Sequence, residues 1–100
     1  MMMVTVLIPG ALRGECGGRA RMPVSAEAGW TLRQVLDAVS AQYPRFDRRV
    51  RDEQGRLRRY VNVFVGMDEC RTLSGLDTEV ADGAQVHILP SVAGGLAGVA

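Results

Sequence analysis

Residues 30–44 read WTLRQVLDAVSAQYP. Thr31 suits an N-cap, because its hydroxyl can accept a hydrogen bond from a backbone N–H in the first turn. Gln34 stands three residues later and completes a capping box. Trp30 before the cap and Val35 at the fourth helical position make a hydrophobic-staple pair. Leu32, Val35, Leu36 and Val39 then fall at i, i+3, i+4 and i+7, one apolar face of a helix. Pro44 disfavours helical geometry at Tyr43, so the spacing predicts a helix from about Thr31 to Tyr43. An amphipathic helix has to bury its stripe against another layer.

The flanking segments supply that layer. VTVLI, residues 4–8, is β-branched and apolar and is stopped by Pro9-Gly10, which reads as a buried strand. GALRGECGGRA, residues 10–20, holds four glycines and reads as a loop. RMPVSA, residues 21–26, can return antiparallel to the first strand, with Pro23 pointing to an edge or a bulge. After the helix, RFDRRVRDEQGRLRR, residues 45–59, reads as a charged loop. YVNVFV, residues 60–65, alternates: Val61, Val63 and Val65 face one way, Tyr60, Asn62 and Phe64 the other. Residues 66–69 read as a turn, 70–73 as a short strand, and SGLDTEVADG as a turn-rich connection. QVHIL, residues 85–89, alternates again, and Pro90 ends it. This order fits an α+β fold: a four- to five-stranded mixed sheet with one main helix packed on one face. That is the β-grasp, or ubiquitin-like, arrangement. Residues 1–91 are expected to form the domain and 92–100 a flexible tail.

Composition narrows the function. The chain has 100 residues, 47% hydrophobic and 23% charged, with a net charge of +1. This is globular usage, with no global field for nucleic acid or membrane. All twelve basic residues are arginine. The start, MMMVTVLIPG, has no basic n-region or long apolar h-region. The apolar stretch from Val86 onward is broken by His87, Pro90 and glycines, and is shorter than the roughly 20 residues of a membrane span. A cytoplasmic location is expected. Cys16 and Cys70 suggest no disulfide framework, and with His87 they match no zinc pattern. GECGGRA lacks the lysine and spacing of a phosphate-binding loop. No metal site and no catalytic residue is expected.

The segment RYVNVFVGMDECRTLSGLDTEVADGAQVHILPSVAGG, residues 59–95, resembles the second half of bacterial sulfur carrier proteins. VNVFV, GLDTEVADG and VHILPSVAGG are most similar to CysO-like members of the MoaD/ThiS family. VTVLIPGALR near the start fits the same pattern. The loop at residues 14–20 and the stretch after Gly95 fit less well. The resemblance implies a carrier that is a cosubstrate rather than an enzyme. Gly95 would hold the working carboxylate, made into an acyl-adenylate and then a thiocarboxylate. No cofactor is bound by such a carrier. Its adenylating partner uses ATP, and zinc and PLP belong to partner enzymes. Those partners are the adenylating enzyme, a JAMM-type zinc metalloprotease, and a PLP-dependent cysteine synthase or another sulfur acceptor.

Residue chemistry supports part of this independently. Glycine has no Cβ, so Ala93, Gly94 and Gly95 can thread a narrow channel with free backbone choice. One feature departs from the family. The Gly95 carbonyl is bonded to the nitrogen of Leu96, and an amide cannot attack ATP. A cut between Gly95 and Leu96, removing LAGVA, is therefore expected. The recipient pathway is open between cysteine, molybdopterin, thiamine and a thio-containing secondary metabolite. An interaction module that never activates its tail is the rival from another class.

Tyr60, Phe64, His87 and Leu89 come from strands that would be neighbours. On the face away from the helix they would form an exposed apolar docking patch at the root of the tail. Phe64 is expected to be exposed there. The seven arginines of residues 45–59 are diluted by Asp47, Asp52 and Glu53, which reads as a solvated face or a steering surface for an acidic partner. Nucleic-acid binding is not expected, because no stacking aromatics line a groove.

Overall fold

A computed structural model describes residues 2–90. Five strands form one sheet in the order β2-β1-β5-β3-β4. They are β1 (Met2–Leu7), β2 (Arg21–Ala26), β3 (Val61–Val65), β4 (Asp68–Glu69) and β5 (Gln85–Pro90). β1 and β5 run parallel at the centre, and every other pair is antiparallel. The helix α1 (Leu32–Gln42) packs across one face. This is the mixed-sheet β-grasp arrangement expected from the order of elements.

α1 starts as its sequence dictates. The Thr31 side chain accepts from Gln34 N, and Gln34 Oε1 accepts from Thr31 N at 2.9 Å. Leu32, Val35, Leu36 and Val39 are all buried. They meet Val4, Val6, Val61, Val63, Val86 and Ile88, the inward-facing set of the three central strands. Trp30 packs partly buried against this core, and its carbonyl accepts from Val80 N.

Both strand prolines sit where no ladder bond is lost. Ile8 N donates to Ala20 O, so alternation makes Thr5–Pro23 a non-hydrogen-bonded pair. The Pro23 nitrogen therefore faces out of the sheet, and β2 is an edge strand that lacks its central outward donor. Gly66 N donates to Gln85 O, so Val61–Pro90 is likewise a non-hydrogen-bonded pair. Pro90 consequently closes β5 as its last residue rather than ending the strand before it.

Three segments differ from their sequence reading. Residues 45–59 are not one loop: α2 (Pro44–Val50) opens them. Pro44 stops α1 and also fits the first turn of α2, where a missing N–H costs nothing. Phe46 and Val50, four apart, are fully buried. Gly10–Cys16 is a 3-10 helix rather than a loop, and it buries Leu12 and Cys16. The short strand after β3 is Asp68–Glu69, not 70–73. Cys70–Thr72 is a 3-10 turn, begun by the Glu69 side chain accepting from Arg71 N.

α2 is fastened to α1 by a buried charge. Arg51 is 5% exposed. Its guanidinium meets Asp47 at 2.7 Å and Asp37 of α1 at 2.9 Å. Burial opposes its charge, but the hydrogen bonds to the two carboxylates outweigh this and hold its pKa above the usual arginine value. The expected solvated face is thus solvated only in part.

Candidate functional site: the end of β5 and its flanks

Ala93, Gly94, Gly95 and Leu96, the carrier and processing residues expected from the sequence, lie outside the described residues. So does the expected boundary between residues 91 and 92. The described residues end at Pro90. Pro90 closes β5 beside Val61, the first residue of β3. Two surfaces flank this point.

The first lies on the sheet face opposite α1. The register places Leu7, His87, Phe64 and Glu69 in one row across β1, β5, β3 and β4, and Leu89 beside Asn62 in the next row. Phe64, Gly66, Met67, His87 and Leu89 line a shallow depression of about 290 Å³. Three of the four residues singled out from the sequence therefore meet, while Tyr60 precedes β3 and is not among the lining residues. Phe64 is half-buried rather than exposed, because the β3–β4 turn brings Met67 alongside it. Met67 is 92% exposed and Leu89 46%. Met67 was missed because residues 66–69 read only as a turn. The signal was the two-residue turn itself, which places its residue next to the strand end.

The second surface is basic. Asp52, Arg56, Leu57, Arg58, Arg59 and Arg71 line a depression of about 530 Å³, larger than the apolar one. Arg71 holds it together. Its guanidinium donates to Val61 O at 3.0 Å and Arg58 O at 2.9 Å, and pairs with Glu69 at 3.1 Å. Asp52 shapes the loop by accepting from the backbone of Gln54 and Arg56. Those bonds hold its carboxyl below the usual aspartate value, with help from the nearby Arg56 and Arg58 charges.

The two cysteine thiols lie in the core. Cys16 and Cys70 are fully buried. Burial pushes both thiols up, and Glu15 and Glu69 add to it, so neither supplies a ready thiolate. Among the described residues, no three His, Cys, Asp or Glu side chains come together to hold a metal. No helix among them is long and apolar enough to cross a membrane.

A family model described as the ThiS family matches residues 6–95, ending at the second glycine of the pair. The chain belongs to the ThiS family. It is 41% identical over 96 residues to the sulfur carrier protein CysO of Mycobacterium tuberculosis, covering 94% of this chain and all of that protein. It is 33% identical over 95 residues to the molybdopterin synthase sulfur carrier subunit of the same organism, covering 95% of this chain and all of the relative. Among solved structures it is similar to the BexX/CysO complex of Amycolatopsis orientalis. The TM-score is 0.78 at 38% identity, over 91% of this chain and 98% of that one. This ThiS-family chain is thus CysO-like in sequence and in fold, and a relative of it has been seen bound to a partner protein.

Proposed function

We propose that this protein is a sulfur carrier whose working group is the carboxylate of Gly95. The observation that carries the reading is the family match, which runs through Gly94 and Gly95 and stops there. The strand preceding them, at the centre of the sheet, also ends between two exposed surfaces.

The cycle begins with hydrolysis of the Gly95–Leu96 bond by a JAMM-type zinc metalloprotease, in which a metal-bound water attacks the peptide carbonyl. The freed carboxylate attacks the α-phosphate of ATP on an adenylating enzyme and pyrophosphate leaves. A sulfide equivalent then attacks the acyl-adenylate carbon and AMP leaves, giving the thiocarboxylate. In cysteine biosynthesis the sulfur adds to an aminoacrylate held on a PLP-dependent cysteine synthase. The acyl group shifts from sulfur to nitrogen, and hydrolysis releases cysteine and the Gly95 carboxylate. The carrier acts as cosubstrate throughout, and its need for ATP suits the cytoplasm. The 41% identity to CysO favours this recipient. Molybdopterin synthesis is the second reading, favoured by the full-length match to a molybdopterin synthase subunit.

The test is intact-mass spectrometry with the adenylating enzyme, ATP and a sulfur donor. A chain ended at Gly95 is expected to release pyrophosphate and exchange one oxygen for sulfur. The chain with LAGVA attached is expected to do neither until the protease acts. Sulfuration of the chain with LAGVA in place, or none on the Gly95-ended form, would refute the mechanism.

A further inference from the structure

The basic depression has an unbalanced charge. Four arginines line it against one aspartate, in a chain whose net charge is +1. Asp52 pairs with Arg56 at 3.5 Å and Glu69 with Arg71 at 3.1 Å. Among the described residues, no carboxylate pairs with Arg58 or Arg59. Arg58 is held in place, because its Nε donates to Arg48 O at 2.7 Å and its backbone N donates to Val50 O. Arg59 is exposed beside it. An ordered guanidinium and its exposed neighbour, neither in an ion pair among the described residues, offer a pair of charged donors to external carboxylates.

Position says what presents them. Val61 O accepts from Arg71, and Val61 is the partner of Pro90. The basin therefore lies about one or two strand spacings of 4.8 Å from the end of β5. Five residues separate Pro90 from the Gly95 carboxylate, a reach of at most about 17 Å when extended. A tail threaded outward into an active site carries its reacting group away from the basin. The basin then faces the rim of that site, not its chemistry.

We propose that Arg58 and Arg59 form a second docking point that binds a carboxylate-rich protein surface at the mouth of the channel receiving the tail. This rests on the carrier reading above. The basin adds encounter rate and orientation, so its loss raises KM and leaves kcat in place. A nucleic acid is disfavoured because no aromatic side chain lines the basin for a base to stack on.

Two measurements test this. In the first, the intact chain is titrated at low salt with a glutamate oligomer while arginine Nε–H resonances are followed. Saturable shifts at Arg58 and Arg59 are expected, with Arg19 and Arg45, exposed elsewhere, unmoved. No shift, or equal shifts at all four, overturns the proposal. So does a short oligothymidylate that shifts the pair at lower concentration than the peptide. In the second, the Gly95-ended chain is assayed for pyrophosphate release with the adenylating enzyme. Arg58→Gln with Arg59→Gln is expected to raise KM roughly tenfold, as for loss of charges at an interface rim. Its kcat should hold within about twofold, and Arg19→Gln with Arg45→Gln should change neither constant. Arg59→Glu alone repeats the test without disturbing the Arg58 hydrogen bond. An unchanged KM in both variants, or an equal rise in the control, overturns the proposal. If the wild-type chain releases no pyrophosphate, the carrier reading fails, and the peptide titration still decides the basin.

Discussion

The two surfaces beside Pro90 are built in opposite ways. The apolar depression is a product of the sheet ladder. Phe64 and His87 are Cα partners, Leu89 lies one row on, and strand alternation alone puts them on one face. The basic depression has no such scaffold. Its residues come from the loop after α2 and from the 3-10 turn after β4, and side chains hold them together. Arg71 bridges to two backbone carbonyls, Arg58 to a third, and Asp52 folds its loop by accepting from two amides. A surface set by backbone pairing withstands change at one residue. A surface set by side-chain hydrogen bonds does not.

The strongest way to break that contrast is to remove Arg51. Its Cα pairs with Leu57 at the start of the basin loop, and its guanidinium holds Asp47 and Asp37. The Asp47 side chain is only 18% exposed, so Arg51→Ala leaves a mostly buried carboxylate without its partner. Loss of one member of a buried pair costs about 3–5 kcal/mol, and the partial exposure here favours the lower end. Urea unfolding would measure the loss. Hydrogen exchange would show where it falls: the amides of Asp52 and Arg58 should lose protection ahead of those of Val63 and Ile88. Uniform loss across the chain would show that basin and sheet are one cooperative unit, contrary to the distinction drawn here.

A second change sharpens the comparison from the other side. Phe64→Arg places a charge in the apolar depression while the β3–β5 ladder stays intact. Because Phe64 is half-buried, a modest fall in stability is expected, under about 1.5 kcal/mol. Binding to the adenylating partner should weaken by about tenfold or more, as for an aromatic anchor at an interface centre. Calorimetric binding and thermal unfolding on one preparation separate the two effects. Unchanged affinity would remove the apolar depression from the docking surface.

The same division explains what was legible in the sequence. The capping box at Thr31 and Gln34, the helix stripe and the valine alternations of β3 and β5 are local patterns with fixed periods. Each appears in the structure as read. Pro23 pointed to an edge or a bulge, because a missing N–H has few comfortable places in a sheet, and β2 is an edge strand. α2 was hidden because four charged residues dilute its two anchors, Phe46 and Val50, and because Pro44 reads first as a stop signal. Its other meaning, a start, requires knowing that Phe46 has a core to enter. The apolar depression was nearly readable, since period two places Phe64, His87 and Leu89 without knowledge of loops. Of the basin, the arginines of residues 45–59 and their reading as a solvated face or a steering surface for an acidic partner were legible, but not the depression that they form with Arg71. Arg71 lies 12 residues beyond Arg59 in sequence and joins it only through carbonyls that a sequence does not display.

The smallest predicted effect concerns pH. The hydrogen bonds that Asp52 accepts in the loop, from Arg56 N at 3.0 Å and Gln54 N at 2.9 Å, favour its ionised form. Its folded-state pKa is accordingly lowered from the ordinary value of 3.8. A lowered carboxyl pKa gives stability that is fully present above the unfolded value and disappears as pH falls through the folded one. The window for Asp52 therefore opens near 3.8 and extends downward, well clear of neutral pH. Within it the basin loop should loosen while the apolar depression keeps its shape, because no carboxylate holds Phe64, His87 and Leu89 in register. Arginine Nε–H resonances of Arg56 and Arg58 should broaden or shift through that window in the wild-type chain. In Asp52→Asn the same resonances should start nearer their acid positions at neutral pH and move less on acidification. Ring resonances of Phe64 should follow one course in both chains. If the Phe64 ring shifts together with the arginines, or if Asp52→Asn leaves the arginine titration unchanged, then Asp52 is not what fixes the basin apart from the sheet.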